Sequence, residues 1–232
     1  RREDGTEVQV EVTTYRSDTY DPDSRKPEVN YGDTLEGDLS RRDFTVNAMA
    51  LRVPELEFVD PFGGANDLAK GVLRTPVDPR QSFDDDPLRM MRAVRFVAQQ
   101  GIRIEPETAE ALTDMVDRIE IVSAERVRDE LVKMLLSDRP RAGIEALVDS
   151  GLADIVFPEI PALQLEIDEH HRHKDVFEHT MIVIDRAVAL ETGPDGPVPA
   201  PDLTLRLAAL VHSICKPKTP RFESGGKVSF HH

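Results

Sequence analysis

Phe83-Asp84-Asp85-Asp86-Pro87-Leu88-Arg89-Met90-Met91-Arg92-Ala93-Val94-Arg95-Phe96 sets acids at the mouth of a helix and a ladder of arginines just inside it. Pro87 suits a first helical position, where its missing N–H would have had no partner anyway. The run predicts a helix from about Pro87 to Gln100, closed by Gly101 as the residue past the end. Asp86 and Arg89 then lie three apart on one face, and Arg92 follows one turn later. An ionised Asp only accepts hydrogen bonds and an Arg only donates them. Side by side, they can match the amino donor and ring-nitrogen acceptor on the edge of a cytosine or an adenine. The same residues also fit a plain N-cap at Asp86 and a surface ion pair between Asp85 and Arg89.

Working outward, the downstream chain reads as helices joined by short turns. One starts near Pro106 and ends near Ile119, and Ser123 can cap another that carries Val127, Leu131 and Leu135. A further helix spans about Ala142 to Val148 and stops at Gly151. Two more cover 175–191 and 202–214, separated by a Pro- and Gly-rich loop. Upstream, Val8, Val10 and Val12 alternate with polar residues and Thr13-Thr14-Tyr15 follow, which predicts a strand. Residues 16–34, with Pro22, Pro27 and Gly32, read as a long loop. Leu35 to Leu51 reads as one helix, Glu57-Phe58-Val59-Asp60 as a short strand, and Leu68 to Leu73 as a short helix leading to a strand. The expectation is an α+β chain: a small, partial α/β piece followed by a larger all-helical part.

The 232 residues carry a net charge of −15, with 39% hydrophobic and 31% charged residues. This composition suits a folded protein and argues against indiscriminate nucleic-acid binding, which depends on Lys and Arg neutralising phosphates. A local basic site remains open through Arg126, Arg128, Lys133, Arg139 and Arg141, which equally suit a solvated helix face. No apolar run reaches the roughly 20 residues that span a bilayer, so no membrane partner is expected. One cysteine, Cys215, leaves no internal disulfide framework and fits a reducing, cytoplasmic setting.

Arg41-Arg42-Asp43-Phe44-Thr45-Val46-Asn47-Ala48-Met49-Ala50 is the second informative run. Adjacent guanidinium forks suit a triphosphate, and Asp43 can accept from a ribose hydroxyl with Asn47 bracing it. A polar helix with internal salt bridges is the plainer reading. In Asp60-Pro61-Phe62-Gly63-Gly64-Ala65-Asn66-Asp67-Leu68, the glycine pair permits unusual φ or close approach of another backbone, and Asp67 can cap a helix.

Taken in order, these runs resemble the bacterial-type CCA-adding tRNA nucleotidyltransferases and the related bacterial poly(A) polymerases. Val10 to Arg16 and Ser123-Ala124-Glu125-Arg126-Val127-Arg128-Asp129-Glu130-Leu131 resemble the same family. The resemblance implies a partial nucleotidyltransferase head over 1–75 and a helical neck and body over 76–160 that selects nucleotide and contacts RNA. It implies addition of CMP and AMP, from CTP and ATP, to the tRNA 3′ end, with Mg2+ as the expected metal. It assigns Asp86 and Arg89 to the base edge, Asp43 to the ribose, Arg42 to the phosphates, and Arg92 to holding nucleotide or bracing Arg89. Asp85 stands where the family usually has Glu, and Arg126 with Glu130 is expected as a structural brace. The paired metal-binding aspartates are expected before residue 1, with Glu11 as a third, catalytic acid. The chain is therefore expected to be a fragment that is inactive alone.

The C-terminal end, 161–232, resembles a truncated metal-dependent phosphohydrolase module named for its His-Asp pair. His179 and His212 match its metal ligands, so a divalent metal is an expectation there. Ser213 stands in place of the Asp, and Cys215 in place of a Gly. A serine hydroxyl replaces a hard carboxylate poorly. Poly(A) polymerase and a phosphohydrolase remain the alternative functions.

Overall fold

The computed structural model describes residues 12–19, 28–31, 34–164, 176–191, 198, 200–215, 220–223 and 227–230. The first of its small antiparallel ladders pairs β1 (Arg16–Thr19) with β2 (Glu28–Tyr31), Arg16 opposite Tyr31. This replaces the long loop expected over 16–34. Residues 20–27, with Pro22 and Pro27, and 32–33 lie outside the described residues. Val12 to Tyr15 carry no strand and are exposed, and Glu7 to Glu11 lie outside the described residues.

The single helix expected over Leu35 to Leu51 is also corrected. α1 spans Leu35–Ser40, capped by the Thr34 hydroxyl on Gly37 N at 3.2 Å. The backbone then leaves helical geometry. Phe44 is extended at φ −137°, and a 3-10 turn covers Thr45–Asn47. The cause is tertiary. Thr45 N donates to Arg74 O at 2.8 Å, and Thr45 Oγ1 donates to Asp67 Oδ2 at 2.7 Å. These anchors override the local helix propensity. A hairpin follows, β3 (Ala50–Arg52) against β4 (Glu57–Val59), where the short strand at Glu57 was expected.

α2 (Gly64–Lys70) begins four residues before the predicted start. Its cap is Asp60, not Asp67: Asp60 Oδ1 accepts from Gly64 N at 2.7 Å and Oδ2 from Ala65 N at 3.0 Å. Gly63 takes φ +75°, which L side chains resist. Gly64 meets the close backbone approach anticipated for the pair: a Cβ there would sit 2.0 Å from Thr45 O. β5 (Val72–Leu73) runs parallel to β6 (Arg103–Ile104) and so joins this part to the helical body.

The body is built on α3 (Pro79–Asp85), α4 (Leu88–Gln100), α5 (Pro106–Asp114), α6 (Ala124–Leu135), α7 (Pro140–Asp149) and α8 (Leu152–Val156). α4 is the central helix, packed on α6 and α7. Met90, Met91, Ala93, Val94 and Ala98 on it are essentially inaccessible. Gly143 lets α7 close on it, since a Cβ there would lie 2.7 Å from Ala98 Cβ. Gly101 ends α4 in the left-handed conformation at φ +65°, as its position in the sequence predicts.

The helix expected from Pro106 to Ile119 stops at Asp114, and a 3-10 turn covers Val116–Ile121. Ser123 precedes α6 without a side-chain capping bond. α9 (Val176–Leu190) and α10 (Leu203–Val211) follow close to the predicted ranges, and β7 (Pro220–Glu223) pairs with β8 (Lys227–Phe230). α10 reaches back to α6 through Arg206, which is buried. Its Nη1 donates to Leu135 O and Ser137 O, both at 2.6 Å, while Nε and Nη2 meet the Glu191 carboxylate, each at 2.7 Å. No helix among the described residues is long and apolar enough to cross a membrane.

Candidate nucleotide-selecting site

The acids of the opening motif sit at the joint between two helices. α3 is capped by Asp78 on Gln81 N and ends at Asp85. Asp86 is the extended residue between α3 and α4, at φ −145°. Its Oδ1 accepts from Leu88 N at 3.2 Å, and its backbone oxygen accepts from Arg89 N. Pro87 supplies helical φ at the entry to α4. The capping reading of Asp86 therefore holds, but its other oxygen remains turned outward toward Arg126 Nη2 at 3.3 Å.

The surface pair between Asp85 and Arg89 does not form. Asp85 accepts from Gln81 Nε2, and Arg89 turns inward, 7% exposed. Arg89 Nη1 donates to Ser82 O at 3.2 Å and Ser82 Oγ at 2.7 Å, while Nη2 donates to Arg41 O at 2.6 Å. Arg89 thus rivets α3, α4 and the start of the Arg41–Asn47 segment together.

Arg92, one turn on, reaches the same segment. Its Nε and Nη2 both donate to Asp43 Oδ2, at 2.8 and 2.5 Å. Asp43 Oδ1 accepts from Phe44 N at 2.9 Å and from Asn47 Nδ2 at 3.0 Å. The expected brace from Asn47 is present, formed across a 3-10 turn rather than a helix face. Asp43 is buried and fully engaged, so the ribose contact expected of it would require a hydroxyl to displace one of these donors. Phe44 lies beneath, completely buried and edge-on to Phe96 at 5.6 Å.

Arg41 and Arg42 both fold back onto buried Asp38, at 2.7 and 3.0 Å. Arg42 is half exposed and holds Asp38 by Nη2 alone. Its other guanidinium N–H groups make no hydrogen bond among the described residues, which leaves them for an anion. Arg89 and Arg92 are therefore tied to the Arg41–Asp43 segment by contacts 48 and 49 residues apart in sequence, with Asp86 at the head of their helix and Arg42 between the two contacted residues. Glu11 lies outside the described residues.

Sequence reasoning missed the partners of the motif. Arg126 was paired with Glu130 by spacing, but Glu130 instead takes Arg95 at 2.5 Å and Lys133 at 2.9 Å. Burial raises the Glu130 pKa, but the hydrogen bond from Lys133 and the charge of Arg95 outweigh it and hold the carboxyl below its usual range. Arg118 reaches Asp84 at 2.7 Å. No local spacing announces either long-range arginine.

Far along the chain, His179 on α9 and His212 just past α10 face each other, Nε2 to Nε2 at 3.2 Å. His212 Nδ1 lies 2.7 Å from Ala209 O, so it carries the proton and leaves Nε2 as the acceptor. Ser213 beside it is buried with its Oγ unpartnered. Among the described residues no three His, Cys, Asp or Glu side chains converge as a metal would need.

Residues 2–74 match the family model described as the poly A polymerase head domain. Residues 101–163 match that of a probable RNA and SrmB-binding site of polymerase A. The chain is 40% identical over 191 residues to a multifunctional CCA protein of Neisseria gonorrhoeae, covering 81% of this chain and 43% of that protein. It is 40% identical over 203 residues to an A-adding tRNA nucleotidyltransferase of Deinococcus radiodurans, covering 85% of this chain and 44% of the relative. The Bacillus stearothermophilus CCA-adding enzyme, solved in complex with CTP, superposes with a TM-score of 0.59 at 27% identity, over 77% of this chain and 44% of that one. The chain thus spans less than half the length of these relatives.

Proposed function

The chain belongs to the family of bacterial-type CCA-adding tRNA nucleotidyltransferases and poly(A) polymerases, and on that basis we propose that it is the nucleotide-selecting part of a cytoplasmic enzyme that adds CCA to tRNA 3′ ends from CTP and ATP. In this reading 1–75 is the head, 76–160 the selecting neck and body, and 161–232 a further helical module. The supporting observation is the convergence of Arg42, Asp43, Asp86, Arg89 and Arg92 around one helix joint. The terminal 3′ hydroxyl attacks the α-phosphorus, a new P–O bond forms, and the bond to the β-phosphate oxygen breaks to release pyrophosphate.

Arg42 holds phosphate oxygens, Asp43 orients the ribose, and the outward oxygen of Asp86, which meets Arg126 in the unliganded chain, reads the amino group of the base. Arg92 fixes Asp43, while Arg89 fixes Asp86's helix against the phosphate-holding segment; its Nη groups are held by Ser82 and the Arg41 carbonyl, so it supplies the donor side of the base edge only by exchanging one of those bonds. The metal usual for this chemistry, Mg2+, stabilises the attacking and leaving oxygens when bound. The described residues offer no ligand set for it, so none of them is assigned to it.

The test is incorporation into tRNA lacking its CCA end by the protein that carries this sequence, with product length separating CCA addition from poly(A) synthesis. With Asp86→Ala, discrimination against UTP and GTP is expected to fall by about tenfold or more, because one base-edge contact is worth roughly 1–3 kcal/mol. The KM for CTP should change far less. Unaltered base choice in that variant removes Asp86 from the reading.

A second reading, a phosphohydrolase module at 161–232, rests on the facing imidazoles of His179 and His212. Two nitrogens and a serine lack the carboxylate that a hard divalent ion prefers, so the described residues do not fit that metal by themselves. Release of phosphate from 2′,3′-cyclic nucleotides with added nickel or manganese, lost in His179→Ala, would support it. No release with either metal discards it.

A further inference from the structure

We propose that Lys70, Arg103 and Arg139 form one contact strip for the phosphodiester backbone of the RNA substrate, running from the head segment onto the helical body; the identity of that RNA as tRNA rests on the function proposed above. The sequence clusters five basic residues between 126 and 141. Four of them are neutralised in the fold. Arg126 meets Asp86, Arg128 meets Asp129, Lys133 meets Glu130, and Arg141 meets Glu145, Glu178 and Asp185. Only Arg139 is left.

Among the described residues, the exposed cations without an ion pair are Lys70, Arg103, Arg139 and Arg186. Three of these four converge. Lys70 is the last residue of α2, and Gly71 follows it. Arg103 N donates to Gly71 O at 3.0 Å, and Arg103 stands opposite Val72 in the parallel pair. Opposed residues of a ladder point to the same face. Arg103 takes the outer face, and Leu73 and Ile104 take the inner one. Two residues before Arg103, Gly101 carries the guanidinium of Arg139 directly over its backbone. A Cβ at Gly101 would come 2.7 Å from Arg139 Nη1 and 3.0 Å from its Cζ. Lys70 and Arg103 therefore stand on adjoining backbone segments, β5 and β6 being about 4.8 Å apart, and the Arg139 guanidinium lies over the segment that leads into β6.

Lys70 and Arg139 also lie at the C-terminal ends of α2 and α4, where a cation offsets the partial negative charge. Neither side chain makes a hydrogen bond or ion pair among the described residues. Asp138, Glu145 and Asp185 share a cavity with Arg139, but Arg141 holds the last two, so three cations without an ion pair remain in a chain of net charge −15, a favourable place for phosphates, which release condensed counterions on binding. Lys70 lies outside the segment matched as RNA-binding, so the strip joins both matched parts of the chain.

The experiment measures binding of the 232-residue chain to tRNA lacking its CCA end, by fluorescence anisotropy between about 50 and 200 mM salt. The triple change Lys70→Gln, Arg103→Gln and Arg139→Gln is expected to weaken binding by about tenfold or more at low salt. It should also reduce the slope of log K against log salt by about one for each residue. Arg103→Gln alone, at an exposed position, should lower the slope by about one if the triple variant does not fold. CTP affinity should be unchanged, and Arg186→Gln should leave RNA binding as it was. The proposal is overturned if the substituted chains keep the parent slope, if Arg186→Gln costs as much, or if the parent shows no salt-dependent tRNA binding. A reduced slope in the chain together with no CMP or AMP transfer by the longer protein that carries this sequence would instead sink the transferase reading and leave the strip in place.

Discussion

Arg206→Ala should cost about 3–5 kcal/mol of folding stability, the usual loss when one partner of a buried ion pair is removed. Both side chains of the Arg206–Glu191 pair are only 4% exposed. Arg206 also satisfies the Leu135 and Ser137 carbonyls at the end of α6. Truncation leaves those oxygens without this donor and the Glu191 carboxylate with only the Asp202 backbone N–H. The hydrogen bond from Arg206 is the main reason the Glu191 carboxyl sits below its ordinary pKa, with the Asp202 backbone N–H helping. Denaturant unfolding of the parent and variant measures the loss. Replacing Arg206 with Met and Glu191 with Leu together should recover much of it, since no charge is then left buried. A single variant within about 1 kcal/mol of the parent, the range of an exposed pair, would show that α10 is not held this way.

Gly64→Ala is the second large effect. The added methyl would meet Thr45 O at 2.0 Å and Thr45 C at 2.7 Å, both backbone atoms that cannot swing aside. Overpacking of this kind costs roughly 1–3 kcal/mol and occasionally more. Here it also pushes on the turn that carries Asp43, so CTP affinity should fall along with stability. Gly63→Ala is the comparison. Its nearest neighbour would be 3.8 Å away, and only its φ of +75° resists the change. That conformational cost is about 1–2 kcal/mol. If Gly64→Ala leaves both stability and CTP binding at parental values, the close approach of α2 to the Thr45 turn is not what positions Asp43.

The helical body was largely legible because its signals are local. Pro87, Gly101, Pro106 and Gly151 punctuate runs whose apolar spacing matches one helix face, and the helices appear within a few residues of those marks. The Arg41–Ala50 run misled for the opposite reason. Its residues suit a helix, but Thr45 is held by Arg74 and Asp67, some 20 to 30 positions away, and nothing nearby encodes that grip. Asp67 illustrates the same limit. It has a capping residue's chemistry, yet Asp60 caps the helix and Asp67 ties down Thr45. For the site, the residue types were readable and their bonding was not. The motif announced an acid and an arginine three apart, whereas the inward turn of Arg89 and the reach of Arg92 to Asp43 depend on how two distant segments dock.

The bond from Arg89 to the Arg41 carbonyl has a consequence for anyone who would retune this chain. The hinge pin and the key are cut from one piece of metal. A substitution at position 89 meant to alter which letter is chosen would also slacken the strap over the phosphates, so new preferences there should arrive together with a weaker hold on every triphosphate. Reprogramming would do better to begin at Asp86, whose outer oxygen can be changed without drawing the pin.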